Sequence, residues 1–60
     1  MELKEKIYRF RSDHDMTQER FAEVAGVTRV AVNRIELGKI KKVHARTFKK
    51  IMNVIDKKGA

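Results

Sequence analysis

Residues 18–37 read QERFAEVAGVTRVAVNRIEL, and this stretch contains two short amphipathic patterns separated by a glycine. Thr17 precedes the first pattern and Thr28 precedes the second, and threonine is a favoured N-cap residue. Apolar residues recur at helical spacing in both patterns, which predicts two helices. Only Gly26 and Val27 separate them, and such a short link makes two helices cross at a large angle.

The small, flexible and apolar positions of this block each have a physical reason. Ala22 is small at the point where we expect the second helix to cross close to the first. Gly26 is suited to a positive φ angle at the turn, because glycine has no Cβ. The predicted interior of the helix pair is apolar throughout: Phe21, Ala25, Val27, Val32 and Ile35. Together these positions are a specific signal for two crossed helices.

A further helix is predicted on each side of the pair. Apolar residues at i, i+4 and i+7 predict a first helix over residues 2–12, and Asp15 is expected to close it in the left-handed conformation. A last helix is predicted over residues 45–56, with an apolar face of Phe48, Ile51, Met52 and Ile55. Residues 57–60 are expected to fray.

The fold class predicted from these patterns is all-α. We expect residues 1–60 to form one domain, a compact bundle of four or five short helices that contains a helix-turn-helix. A chain of 60 residues has room for a single small domain. It buries only about 60% of its unfolded surface, which argues against most enzymes, since they need a scaffold and a water-excluding pocket.

The composition excludes several kinds of site. The chain has no Cys, so disulfides, thiol catalysis and cysteine-based zinc sites are excluded. His14 and His44 lie far apart with no metal-ligand spacing, so no metal, cofactor or small-molecule ligand is predicted. No apolar run approaches the roughly 20 residues of a membrane span, and we expect a cytoplasmic, nucleoid-associated protein.

The positive charge is concentrated in the second half of the chain. The formal net charge is +7, from 15 Lys+Arg and 8 Asp+Glu. The first 28 residues hold six of the eight acids, and after Thr28 only Glu36 and Asp56 are acidic. A basic surface of this kind predicts an anionic partner, most simply nucleic acid. One Tyr, three Phe and no Trp disfavour single-strand binding by aromatic stacking.

The segment MTQERFAEVAGVTRVAVNRIELGK, residues 16–39, resembles the helix-turn-helix of the phage repressor and Cro family, also called XRE-like regulators. The likeness continues into the first and fourth helices, so that it covers residues 3–55. Its matching positions there are Leu3, Ile7, Phe10, Arg11, Thr47, Phe48 and Ile51. The resemblance implies a lambda-repressor-like fold and a prokaryotic or phage transcriptional regulator that occupies a double-stranded DNA operator without catalysis.

The resemblance also bears on oligomeric state. Many members of that family continue into a fifth helix that makes dimer contacts, and this chain stops before one. A homodimer on DNA therefore remains an open expectation. Two half-sites about one helical turn apart would follow from such a dimer.

The second helix of such a pair lies in the major groove and reaches base edges with its N-terminal residues. Rotation away from Val32 and Ile35 predicts five base-reading residues: Thr28, Arg29, Val30, Asn33 and Arg34. Arg29 suits a guanine, Asn33 an adenine and Val30 a thymine methyl group. The alternative for Val30 and Asn33 is an ordinary surface position.

Phosphate contacts position a protein on DNA without reading the sequence. Gln18 is predicted to make one, because the free N–H groups at a helix N-terminus attract anions. The other predicted phosphate contacts are Lys39, Lys41, Lys42 and Arg46. The family resemblance further implies that Arg11 and Glu36 form a partly buried ion pair that orients the reading helix; a solvated pair is the alternative.

Two other functions stay open from the residues alone. One is an antitoxin-like module that binds a protein partner, which an apolar exposed face on the third or fourth helix would indicate. The basic stretch 29–42 speaks against it. The other is the DNA-binding part of a larger recombinase.

Overall fold

All four predicted helices are present in the computed structural model, which describes residues 2–40 and 42–59. They are α1 (Leu3–Asp13), α2 (Gln18–Ala25), α3 (Arg29–Glu36) and α4 (Ala45–Gly59). No strand occurs within the described residues. The all-α prediction is confirmed, with α4 reaching three residues beyond its predicted end.

α2 and α3 each begin after a threonine that caps the helix. The Thr17 hydroxyl oxygen accepts a hydrogen bond from the Arg20 N–H at 3.0 Å. The Thr28 hydroxyl oxygen accepts one from the Ala31 N–H at 3.1 Å. Each bond satisfies an N–H group that has no partner inside the helix, so both predicted N-caps are confirmed.

α1, α2 and α3 are each followed within two residues by a residue with left-handed backbone. These residues are Asp15, Gly26 and Gly38, with φ angles of 51°, 77° and 73°. The next N–H then donates to the carbonyl five residues earlier: Met16 to Arg11 at 2.8 Å, Val27 to Ala22 at 3.0 Å and Lys39 to Arg34 at 3.1 Å. This Schellman arrangement satisfies the last carbonyls of each helix and turns the chain sharply.

The core is apolar and is built from all four helices. It consists of Ile7, Phe10, Phe21, Ala22, Ala25, Val32, Ile35, Ile51 and Val54. The Phe10 and Phe21 rings meet edge to face with centroids 5.8 Å apart. Val27, predicted to be interior, is half-buried and packs against this core. α3 and α4 both pack against α1 and α2.

The predicted inward face of α4 is partly wrong. Phe48 is 44% exposed, whereas Val54, which was not predicted to be interior, is buried. α4 turns Ile51 and Val54 towards the core, so that Met52 and Ile55 lie at its margin and Phe48 lies outside it.

Within the described residues, no helix is both long and apolar enough to cross a bilayer.

Replacing Gly26 with alanine tests the turn between α2 and α3. A Cβ at this position meets no atom within 4 Å, so the cost comes from the φ angle of +77° alone. We expect a loss of roughly 1–2 kcal/mol in the free energy of unfolding, measured by urea denaturation. Gly26→Asn is the control and is expected to lose less, because asparagine tolerates this conformation. Equal losses in the two variants would contradict a left-handed backbone at Gly26 as the cause of the loss.

Candidate nucleic-acid interface

The outward side of α3 carries the predicted base-reading residues. Because Val32 and Ile35 point into the core, the positions rotated away from them face solvent. Arg29, Val30 and Arg34 are exposed and Asn33 is half-buried. At about 100° per residue these four positions span an arc of about 140° on the helix. Thr28 is exposed at the N-terminal end of the same helix.

The side chains of this arc carry hydrogen-bond donors and acceptors of the kinds that pair with base edges in a DNA groove. Arg29 and Arg34 present planar forks of N–H donors, and the Asn33 amide both donates and accepts. The Thr28 oxygen already accepts from the Ala31 N–H, which leaves its O–H free to donate. Val30 is 52% exposed and adds an apolar contact between the two arginines.

A polar cluster joins α1, α2 and α3 behind this face. Arg11 Nη1 donates to both carboxylate oxygens of Glu36, at 2.7 and 2.9 Å. The two side chains are only 19% and 11% exposed. Gln18 Nε2 donates to Glu36 Oε1 at 3.4 Å. One carboxylate at the end of α3 is therefore bonded to α1 and to the start of α2.

The pair is not fully satisfied. Arg11 Nε is buried and finds no hydrogen-bond partner among residues 2–40 and 42–59. Desolvation of this atom offsets part of the attraction between the two charges. The contribution of the cluster is therefore mainly geometric, because it fixes where the C-terminal end of α3 lies.

The Gln18–Glu36 bond has no signal in the local sequence. The family resemblance implies that Gln18 both contacts the DNA backbone and braces the reading helix; the structure places it at the N-terminus of α2 and bonds it to the last residue of α3. Its partner lies 18 residues away in the sequence, and no local pattern connects two such positions. The second N–H and the carbonyl oxygen of the amide remain available for another contact.

Basic side chains continue from α3 into α4. Lys39 and Lys42 follow the C-terminal end of α3, Arg46 is the second residue of α4, and all three are exposed. Lys41, a predicted phosphate contact, lies outside the described residues. Through the Gln18–Glu36 bond, the N-terminus of α2 lies at the C-terminal end of α3, the same end that Lys39 follows.

His14, the first of the two histidines, packs against the end of α1. The His14 ring stacks on Phe10 with centroids 4.1 Å apart, and its Nδ1 lies 2.9 Å from the Phe10 carbonyl oxygen. His14 thus closes the C-terminal end of α1. No group of three or more potential ligands for a metal ion occurs in the part of the chain that the structure describes.

Comparison with known proteins identifies the arrangement. A family model described as helix-turn-helix matches residues 7–59, which contain α2, the turn and α3. No curated protein and no solved structure shows significant similarity to the chain.

Removing one partner of the ion pair tests the polar cluster. We expect Glu36→Leu to lower the free energy of unfolding by at least about 2 kcal/mol, because it leaves the Arg11 guanidinium desolvated without a counter-charge. The double variant Arg11→Met, Glu36→Leu should be more stable than Glu36→Leu alone. Urea denaturation of these two variants and of Arg11→Met alone completes the cycle. A loss in the double variant equal to the sum of the two single losses would contradict a coupled pair.

Proposed function

Since the chain belongs to the XRE-like, Cro/CI-like helix-turn-helix family of DNA-binding regulators, we propose that it is a sequence-specific repressor. It binds double-stranded DNA with α3 in the major groove and blocks its operator by occupancy, without catalysis. The observation that carries this proposal is the polar, basic outward arc of α3, supported from behind by the Arg11–Glu36 pair.

Base reading falls to the N-terminal part of α3. Arg29 is its first residue and can donate two parallel hydrogen bonds to O6 and N7 of a guanine. Asn33 follows four residues later, about 6 Å along the helix axis, and can pair with N6 and N7 of an adenine. That separation is close to two base-pair steps of about 3.4 Å, so the two side chains can reach different base pairs of one site. Val30 lies close to both and suits a thymine methyl group.

Phosphate contacts near the C-terminal end of α3 set its register in the groove. Gln18 lies at the N-terminus of α2, whose free N–H groups attract an anion. Lys39, Lys42 and Arg46 are exposed and follow the C-terminal end of α3 in the chain; Lys41 belongs to the same predicted set. Glu36, the one acid in this region, is held by Arg11 and Gln18 and so repels a phosphate less than a free carboxylate would.

Arg29→Ala tests base reading. In-vitro selection of duplexes first supplies the preferred site and shows whether it is a palindrome. On that site, we expect Arg29→Ala to lose about 1–3 kcal/mol of binding free energy and to relax the preference at one base pair. Binding to random duplex should fall much less. Equal losses on selected and random DNA would exclude a base-reading role for Arg29.

Lys42→Ala is the matched control for that experiment. It removes one exposed cation that we assign to a phosphate, so it should weaken selected and random duplexes alike. A change of base preference in Lys42→Ala would place this side chain at a base edge instead.

Salt dependence tests the phosphate contacts as a group. If about six phosphates are neutralised, affinity for duplex DNA should fall by roughly three decades between 50 and 200 mM salt. The variant Lys39→Gln, Lys42→Gln should lower the slope of log K against log salt by about two, which fluorescence anisotropy measures. The wild-type slope in this variant would assign the contacts to other residues.

A further inference from the structure

Two exposed apolar side chains lie on the helix that we assign to the major groove. Val30 is 52% exposed and Leu37 is 59% exposed, and neither belongs to the core. Within residues 2–40 and 42–59, four large apolar or aromatic side chains are at least 44% exposed, and the other two lie on α1 and α4. Leu37 is not among the base-reading residues of the proposed function, although it is the more exposed of this pair.

Val30 and Leu37 form one stripe along the outward side of α3. They lie seven positions apart, so they differ by only about 20° around the helix axis and by about 10.5 Å along it. Leu37 is the C-cap residue and keeps helical backbone, with φ −79° and ψ −8°, so the helical spacing holds up to this residue. The stripe therefore lies inside the arc bounded by Arg29 and Arg34.

The dimensions of the stripe suit a DNA groove. The eight residues of α3 span about 12 Å, which is close to the width of the major groove, so a side chain at either end stays within it. Along the groove, 10.5 Å corresponds to about three base-pair steps of 3.4 Å. Val30 and Leu37 thus face two different base pairs of one site.

The apolar group that a major groove presents is the C5 methyl group of thymine. Unmodified cytosine has no such group, whereas 5-methylcytosine carries a methyl group on the same carbon. Valine and leucine side chains contain no hydrogen-bonding atom, so they do not distinguish the thymine O4 acceptor from the cytosine N4 donor. Contacts of this kind respond to the methyl group and not to the base that carries it.

We propose that Leu37 determines specificity together with Val30, and that the two side chains read pyrimidine methyl groups about three base pairs apart. A 5-methylcytosine then replaces thymine at either position, so that binding responds to cytosine methylation of the operator. Arg34 lies between the two residues along the helix and supplies hydrogen bonds. This inference rests on the proposed function, because it needs α3 in the major groove.

Replacement of thymine by uracil tests the contacts, because uracil lacks only the C5 methyl group. On the duplex obtained by in-vitro selection, each thymine of the site is replaced in turn, and fluorescence anisotropy measures the Kd. We expect the Kd to rise about fourfold at two positions roughly three base pairs apart, as for the loss of one buried methyl group. Uracil in the flanking sequence is the control and should leave the Kd unchanged.

Two alanine variants assign each methyl group to a side chain. Val30→Ala should abolish the effect of uracil at one position and Leu37→Ala at the other, while each variant keeps the remaining effect. Tyr8→Ala is the matched control, since it removes an exposed side chain from α1 and should keep both effects. Circular dichroism should show the same helix content in all three variants, because these positions are exposed.

Cytosine methylation tests the response to a modified base. Each of the two thymine–adenine pairs is replaced by cytosine–guanine and by 5-methylcytosine–guanine, two duplexes that differ by a methyl group alone. We expect the methylated duplex to bind about fourfold more tightly than the unmethylated one. Val30→Ala should abolish this difference at its own position, and Leu37→Ala should abolish it at the other.

Four results would overturn the inference. Sequence-specific binding that ignores both uracil and 5-methylcytosine would do so and would leave the proposed function intact. Methyl effects that persist in both alanine variants would show that the methyl group acts through duplex shape. Effects that only Val30→Ala abolishes would exclude Leu37 from base reading. A chain that prefers no sequence would overturn the proposed function, and this inference with it.

Discussion

The three-residue link between α2 and α3, residues 26–28, is the constraint on which the rest of the structure depends. The Ala22 carbonyl accepts hydrogen bonds from both Gly26 and Val27, so the direction in which the chain leaves α2 is fixed by α2 itself. Thr28 then caps α3 within two residues, and Ala22 allows the helices to cross closely. Burial of Val32 against this pair decides which side of α3 faces outward.

The Glu36 cluster fixes the far end of α3. A helix of eight residues is marginal by itself, and its orientation comes from tertiary contacts. The carboxylate is held from α1 by Arg11 and from α2 by Gln18, so movement of α3 relative to either helix breaks a hydrogen bond. Hydrophobic side chains in place of Arg11 and Glu36 could give the domain the same stability. They would not form the hydrogen bonds that fix the orientation of α3.

The helices, their caps and the turn could be predicted from the sequence, because they depend on residues close together in the chain. The features that depend on tertiary packing could not. The caps at Thr17 and Thr28 and the left-handed Gly26 depend on a few neighbouring residues, so their patterns were sufficient. The face of α4 was ambiguous, because Phe48, Met52 and Ile55 form one apolar stripe and Ile51 and Val54 form another beside it. Periodicity alone cannot choose between overlapping stripes. The Gln18–Glu36 bond depends on how α2 and α3 cross and has no local signal.

Binding of DNA to the outward arc of α3 accounts for the positive charge of residues 29–60, because that charge attracts the phosphate backbone. Amide chemical-shift perturbation in an NMR titration with the selected duplex tests this assignment most directly. The largest shifts should fall on the start of α2, on Arg29, Val30 and Asn33, and on the lysines after α3, while the outer side of α1 stays unchanged. Shifts concentrated on α1, with α3 unaffected, would contradict the account.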